Sequence, residues 1–230
     1  MAQLLAARIP DAHLVLLEGD SAVPFVGDLA SLANAINDFL ADETEVTGSA
    51  NADAQRSSGA FATILFTDME GSTTLADRLG DASAQEVRRA HNDIVRAALS
   101  ANNGSEVKHT GDGIMASFPT ASSALESAIA IQRGVAAHKE EHPDSPLGVY
   151  VGLNAGEPIA EEGDLFGTSI NLAARICDHA KAGQILAANV VRELAAGKQF
   201  LFADLGETEL RGFEDPVKLW ELRWQAEGSP

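Results

Sequence analysis

The sequence has a single cysteine, Cys177, and therefore no intrachain disulfide framework is possible. It also lacks any apolar run near the roughly 18 residues that a membrane-spanning helix needs. Residues 1–10 lack the basic and apolar regions of a secretion signal. These absences lead us to expect no membrane partner and a reduced, aqueous compartment, the cytoplasm.

Basic residues are scarce as well. The chain of 230 residues has 16 Lys and Arg against 34 Asp and Glu, which gives a formal net charge of -18. A nucleic acid or an anionic membrane surface requires a positively charged partner, so we exclude both as the main partner. Any anionic substrate would need local cations, either a few placed basic residues or bound metal ions.

The chain divides into two pieces joined by a polar linker at residues 42–59, which is rich in small residues. Residues 1–41 have a helix, strand, helix pattern, an αβα fragment that resembles the C-terminal end of α/β-hydrolases. In that resemblance the catalytic His position falls on Ala22, and the chain has no G-x-S-x-G motif. We therefore expect no hydrolase activity. The fragment is either the remnant of an upstream hydrolase-like regulatory domain or an arm that stabilises a dimer.

The second piece, residues 60–224, alternates between strand and helix patterns. Strand, helix, hairpin, helix, strand is the ferredoxin-like βαββαβ order, and it predicts an α+β domain with C-terminal additions. The predicted strands are 60–67, 105–109, 114–118, 147–153, 184–186, 200–203 and 217–222, and the predicted helices are 84–100, 121–138 and 168–179.

A first candidate site follows the first predicted strand, in the segment Phe-Thr-Asp-Met-Glu-Gly-Ser-Thr. Asp68, at the strand end, is suited to bind a divalent cation. Backbone amides at the start of the following helix can face phosphate oxygens, and they belong to Glu70, Gly71, Ser72 and Thr73. The alternative is that Asp68 only caps this helix.

A second candidate is Asp112, which lies between Gly111 and Gly113 in a predicted hairpin turn. Asp-Gly is also common turn chemistry, so an ordinary hairpin remains the alternative. The glycine spacing loosely imitates a dinucleotide-binding fingerprint, but a strand follows it where that fingerprint needs a helix.

A third candidate segment combines Asp164 with the predicted helix that follows it. Asn171 and Arg175 are four residues apart and so lie on one face of this helix. Taken alone, Arg175 could be a solvated or salt-bridged helix residue.

Together with the closing Leu-Arg-Gly-Phe segment at 210–213, these three segments resemble the catalytic domain of class III nucleotidyl cyclases, from about residue 61 to residue 220. The resemblance implies that Asp68 and Asp112, with the Met69 carbonyl, hold two divalent cations, Mg²⁺ or Mn²⁺. The ribose 3′-OH would attack the α-phosphorus in line, and pyrophosphate would leave.

The same resemblance implies roles for four more side chains. Arg175 would stabilise charge at the α-phosphorus, and Asn171 would orient the ribose. Lys108 and Asp164 would read the base. A lysine can donate to adenine N1, and a carboxylate can accept from the adenine 6-amino group. Guanine has a donor and an acceptor in the reverse positions. ATP is therefore the expected substrate and cyclic AMP the expected product.

In this family each active site lies between two subunits. This chain has both sets of residues, so the resemblance implies a homodimer with two equivalent sites. Asn154 stands where the family often has His. The alternative to an adenylate cyclase is a catalytically silent homology module that binds nucleotide or a partner and dimerises. A diguanylate-type cyclase is a third possibility, but the Thr-Gly-Asp-Gly turn does not match its signature well.

Overall fold

A computed structural model describes residues 60–225. The predicted hydrolase-like fragment at residues 1–41 and the linker at 42–59 lie outside these residues. Within the described range, no helix has both the length and the apolar character that crossing a membrane would require.

The described chain alternates strands and helices. In order, the elements are β1 (Ala62–Met69), α1 (Ser72–Leu79), α2 (Asp81–Ala101), β2 (Ser105–His109), β3 (Ile114–Phe118), α3 (Ala121–Glu141), β4 (Val149–Gly156), β5 (Ile159–Glu161), β6 (Asp164–Phe166), α4 (Thr168–His179), β7 (Ile185–Ala188), α5 (Asn189–Leu194), β8 (Leu201–Thr208) and β9 (Val217–Arg223).

Seven strands form one sheet in the order β2-β3-β1-β4-β7-β9-β8. The first four strands of this order pair antiparallel, with β1 in the interior between β3 and β4. Strand β7 then pairs parallel to β4, and β9 and β8 extend the sheet antiparallel. The α+β class and the ferredoxin-like βαββαβ order with C-terminal additions are therefore confirmed.

The central strand β1 is buried on both faces of the sheet. Leu65 packs into the main core with residues of α2 and α3, whereas Ile64 packs against α4 on the opposite face. Successive side chains of a strand point to opposite faces, so Asp68 shares the α4 face with Ile64 and Phe66. The packing of β1 thus directs Asp68 to one side of the sheet.

Gly152 on β4 lets helix α4 lie directly on that face. A Cβ atom at this position would overlap the Cys177 amide nitrogen and would lie 2.8 Å from the Ala173 carbonyl oxygen. These are backbone atoms of α4 that cannot rotate away. The missing side chain therefore brings α4, with Asn171 and Arg175, against the sheet.

The sequence patterns missed helix α5 and the β5–β6 hairpin. They predicted the start of a helix after the first strand, where α1 lies, but not its end, which Gly80 marks with a φ of 78° between α1 and α2. The hairpin strands have three residues each, too few for a periodic signal, and their turn is made by Glu162 and Gly163 with positive φ. The predictions for 105–109, 114–118 and 168–179 match the observed bounds.

Candidate active site

Two carboxylates meet where β1 ends beside the β2–β3 turn. Asp68 lies near the end of β1, and Asp112 lies in the turn that leads into β3, the strand paired with β1. Burial of Asp68 raises the pKa of its carboxyl from 3.8 to about 6, and the neighbouring negative charge of Asp112 contributes to the increase. The structure therefore brings the two predicted metal ligands together in a partly buried site.

Asp178 on α4 is a second charged group that acts on Asp68, and it also raises the pKa of that carboxyl. Asp112 and Asp178 both add negative charge next to Asp68. The Met69 amide offsets part of this effect by donating a hydrogen bond to Asp68 Oδ1, at 2.8 Å. A cation placed here would relieve the repulsion between the carboxylates.

The start of helix α1 lies next to this acidic pair. The Ser72 hydroxyl donates a hydrogen bond to Asp112 Oδ2, which links the first turn of α1 to the β2–β3 turn. The Glu70 amide donates to the Gly148 carbonyl oxygen at 2.9 Å, so it is not available to a phosphate. The predicted phosphate contacts that remain are the backbone amides of Gly71, Ser72 and Thr73. Amides at the start of a helix have no intrahelical acceptor, so they are free to donate to a phosphate.

Tyr150 is a neighbour of the acidic pair that sequence reasoning missed. It lies opposite Asp68 in the pairing of β4 with β1. Partial burial raises the pKa of its hydroxyl, and the charges of Glu70 and Asp68 add to this effect. Only the strand register, which the sequence does not give, places Tyr150 beside Asp68.

The predicted base-reading residues form an ion pair. Lys108 Nζ lies 2.6 Å from Asp164 Oδ2, which joins β2 to the β5–β6 hairpin. The hydrogen bond from Lys108 lowers the pKa of the Asp164 carboxyl, and the Leu165 amide lowers it further. The Phe166 ring lies under the same ammonium group, 5.5 Å from ring centre to Lys108 Nζ. Asp164 is thus held as an ionised acceptor.

Asn171 and Arg175 lie on the exposed face of α4. Ile170, Ala173 and Ile176 bury the opposite face of this helix. Arg175 Nη1 contacts Asp178 Oδ2 at 2.7 Å in an exposed ion pair, which matches the salt-bridged alternative for this residue. The exposed position also leaves both side chains accessible to a second molecule.

Asn154, where the family often has His, is a buried structural residue on β4. Its side-chain amide donates to the Ser169 carbonyl oxygen in the first turn of α4, at 3.0 Å. This hydrogen bond ties α4 to the sheet near Asn171. The departure from the family pattern therefore contributes to the placement of the helix.

The two carboxylates fit a divalent cation of the Mg²⁺ type. Within residues 60–225, no group of three or more His, Cys, Asp or Glu side chains could hold a metal ion by itself. Mg²⁺ commonly takes only one or two carboxylates from the protein and completes its octahedron with substrate phosphates and water. Asp68 and Asp112 are such a pair, next to a helix start that suits phosphate.

Residues 55–223 match the family described as the adenylate and guanylate cyclase catalytic domain. The chain belongs to this family. The match covers β1 to β9 and includes every residue of the acidic pair, the base-side ion pair and the exposed face of α4.

Known proteins similar to this cyclase domain include a proposed adenylate cyclase 3 of Rhizobium meliloti (strain 1021), 31% identical over 162 residues. That alignment covers 70% of this chain and 28% of the relative. The chain also resembles an adenylate cyclase of Podospora anserina, 28% identical, over 69% of this chain and 10% of the relative. It thus spans about a quarter or less of the length of these relatives.

Among solved structures, the chain resembles an adenylate/guanylate cyclase/hydrolase from Silicibacter pomeroyi. The TM-score is 0.64 at 29% identity, over 70% of this chain and 95% of that one. These similarities support the cyclase domain as a folding unit that occurs in proteins of different length.

Proposed function

We propose that this domain is an adenylate cyclase that converts ATP to 3′,5′-cyclic AMP and pyrophosphate. The observation that carries the proposal is the crowding of Asp68 and Asp112 at the end of β1, where the pKa of Asp68 rises to about 6. Two carboxylates that repel each other in a partly buried site are suited to bind cations. A chain of net charge -18 also needs bound cations to recognise a triphosphate.

Asp68 and Asp112, with the Met69 carbonyl, would hold two Mg²⁺ or Mn²⁺ ions. When bound, these ions would lower the pKa of the ribose 3′-OH and neutralise charge on the triphosphate. The chain's own contribution is to hold the two carboxylates close together in a partly buried site, where a bound cation would relieve their repulsion. The amides of Gly71, Ser72 and Thr73 would receive phosphate oxygens at the start of α1.

Lys108 and Asp164 would read the adenine base. The ammonium group can donate to adenine N1, and the ionised carboxylate can accept from the 6-amino group. Their ion pair orders both side chains in advance and would open to admit the base. Guanine presents a donor at N1 and an acceptor at O6. In the same pose, its N1 donor would face the Lys108 donor and its O6 acceptor would face the Asp164 acceptor. This geometry favours ATP over GTP.

Asn171 and Arg175 would act on a substrate bound to a second copy of the chain. Within the described part of the chain, the exposed Arg175 pairs with Asp178 on α4 and forms no ion pair with Asp68 or Asp112. In a homodimer the guanidinium of one subunit would stabilise the charge that develops at the α-phosphorus bound to the other. Asn171 would hold the ribose so that its 3′-oxygen is in line.

The second candidate function is a silent cyclase-homology module that binds nucleotide and dimerises without turnover. It is less well supported, because all six polar positions at 68, 108, 112, 164, 171 and 175 are kept. Incubation of the purified full chain with ATP or GTP and Mn²⁺, followed by chromatography, separates the two functions. We expect cyclic AMP from ATP and little product from GTP. Nucleotide binding without any cyclic product would favour the silent module.

A further inference from the structure

A buried histidine lies behind the acidic pair. His91 on α2 is 1% exposed, and it is spaced four residues from the buried Val87 and Val95 on the same helix face. Its Nε2 lies 3.2 Å from the Thr67 hydroxyl oxygen, and its Nδ1 lies 3.0 Å from the side-chain oxygen of Asn92. Thr67 immediately precedes Asp68, so His91 contacts the strand end that positions this carboxylate.

The chemistry of the partners fixes the direction of these hydrogen bonds. The Asn92 oxygen can only accept, so His91 Nδ1 carries the proton. Burial lowers the pKa of the imidazole, so Nε2 of the neutral ring is left to accept from the Thr67 hydroxyl. The Thr67 oxygen in turn accepts the Ile114 amide at 3.0 Å. Both ring nitrogens of His91 and the Thr67 hydroxyl thus have hydrogen-bond partners.

The hydrogen bonds from His91 through Thr67 to Ile114 form one arm of a network. A second arm reaches the other end of the turn that contains Asp112. His109 Nε2 donates to the same Asn92 oxygen at 3.1 Å, and His109 Nδ1 accepts the Gly111 amide at 3.1 Å. The two arms therefore end at Gly111 and Ile114, one on each side of Asp112. Asn92 joins them through a single oxygen that accepts from both imidazole rings.

The turn itself is in close contact with Thr67. A Cβ atom at Gly113 would overlap the Thr67 carbonyl oxygen. The backbone that follows Asp112 therefore lies directly on the residue that precedes Asp68. The separation of the two carboxylates depends on how firmly this contact is kept, because their mutual repulsion opposes it.

We propose that four residues outside the cation ligands form a positioning network that holds the Asp112 turn against the end of β1 and so fixes the spacing of the carboxylates for divalent cations. They are Thr67, His91, Asn92 and His109. This inference rests on the proposed function, since it assigns the network to the cation site of the cyclase. The four are positioning residues, because they act through Asp68 and Asp112.

Strand β1 offers a matched pair of variants to test this network. Thr67 and Thr63 are 2% and 0% exposed on the same strand, but the Thr63 hydroxyl has no hydrogen-bond partner among the described residues. Thr67→Val removes the hydroxyl that joins His91 to Ile114 and keeps the side-chain shape. Thr63→Val makes the same change where no such bond is lost. Asn92→Ala, at a partly exposed position, removes the oxygen that joins His91 to His109 without changing the core of β1.

The measurement is a titration of each full-length variant with Mn²⁺ alone, followed by electron paramagnetic resonance, with a melting temperature recorded in EDTA. We expect Thr67→Val and Asn92→Ala to bind Mn²⁺ about tenfold more weakly than the wild type, as is common when the partners behind a metal ligand are lost. Thr63→Val should stay within about twofold of the wild type. High Mn²⁺ should restore much of the turnover of Thr67→Val.

Two results would overturn the inference while leaving the cyclase proposal intact. One is Mn²⁺ binding by Thr67→Val and Asn92→Ala that equals the wild type. The other is an equal loss in Thr63→Val, which would indicate general damage to β1. A wild-type chain that does not bind Mn²⁺ would instead contradict the proposed cation site and, with it, this network.

Discussion

Lys108 Nζ and Asp164 Oδ2 lie 2.6 Å apart although 56 residues separate them along the chain. The pairing of β2 with the sheet and the position of the β5–β6 hairpin bring them together. Both side chains are partly exposed, at 41% and 28%, so a planar base can reach them from solvent. In the function proposed above, this ion pair is the part of the site that selects the nucleotide base.

Asp164→Asn should weaken the preference for ATP over GTP. The amide still accepts a hydrogen bond, but it also offers a donor to guanine O6. A hydrogen bond to a charged group is worth about 1.5–3 kcal/mol, so we expect the ratio of kcat/KM for ATP to that for GTP to fall about tenfold or more. Steady-state kinetics with both nucleotides measure it. An unchanged ratio would show that Asp164 does not read the base.

Cation binding should weaken in acid. A proton competes for Asp68, whose pKa is about 6, so Mn²⁺ should bind about tenfold more weakly at pH 5 than above pH 7. Titration calorimetry at several pH values measures this change. An affinity that stays constant over the range would contradict the role of Asp68 as a ligand.

In the metal-free protein, Asp68 should contribute to the pH dependence of stability in the opposite sense to an ordinary salt-bridged carboxylate. The folded-state pKa of Asp68, about 6, lies above its ordinary value of 3.8, so the folded chain binds more protons between these values. The contribution of Asp68 to the free energy of unfolding should therefore fall as the pH rises from about 4 to about 6. Asp68→Asn removes this contribution, so the difference in melting temperature between the variant and the wild type should shift in favour of the variant across that window.

Arg175→Ala should lower kcat by about 100- to 1,000-fold, as expected for the loss of one preorganised donor at the reacting phosphorus. The fold should be preserved, because the ion pair of Arg175 with Asp178 is exposed and such pairs contribute at most about 1 kcal/mol. Arg223→Ala is the matched control, since Arg223 is also exposed and paired with a carboxylate, Glu221, but lies on the last strand. Near-normal turnover of Arg175→Ala would exclude the role.

Gly152→Ala should destabilise the domain by about 1–3 kcal/mol, because the added Cβ meets the backbone of α4. For a domain of this size this is a fall in melting temperature of roughly 3–10 °C. Differential scanning calorimetry measures the change. A melting temperature equal to that of the wild type would mean that α4 can shift away from β4 at little cost.

The sequence was sufficient for the parts of the fold and site that local signals determine. The apolar run of β1, the Gly-Asp-Gly turn and the spacing of Asn171 and Arg175 predicted where each candidate residue would lie along the chain. The resemblance to cyclases then predicted which of them would meet. The structure brings Lys108 to Asp164 and Asp68 to Asp112 accordingly.

What the sequence did not predict depends on register and on neighbours distant in the chain. Tyr150 lies beside Asp68 because of the pairing of β4 with β1. His91 could have been noticed from its spacing with Val87 and Val95, but its partner Thr67 is 24 residues away. The Glu70 amide donates a hydrogen bond to the Gly148 carbonyl oxygen, a contact that no local sequence pattern indicates.

In the proposed homodimer, the acidic pair of one chain and the Arg175 guanidinium of the other complete one active site. Mixing purified Asp68→Ala with Arg175→Ala tests it most directly, because a mixed dimer would have one intact site and one that lacks both groups. We predict that the mixture makes cyclic AMP at a rate far above either variant alone, and that the rate rises with total protein concentration. A mixture no more active than its two components would contradict the shared site.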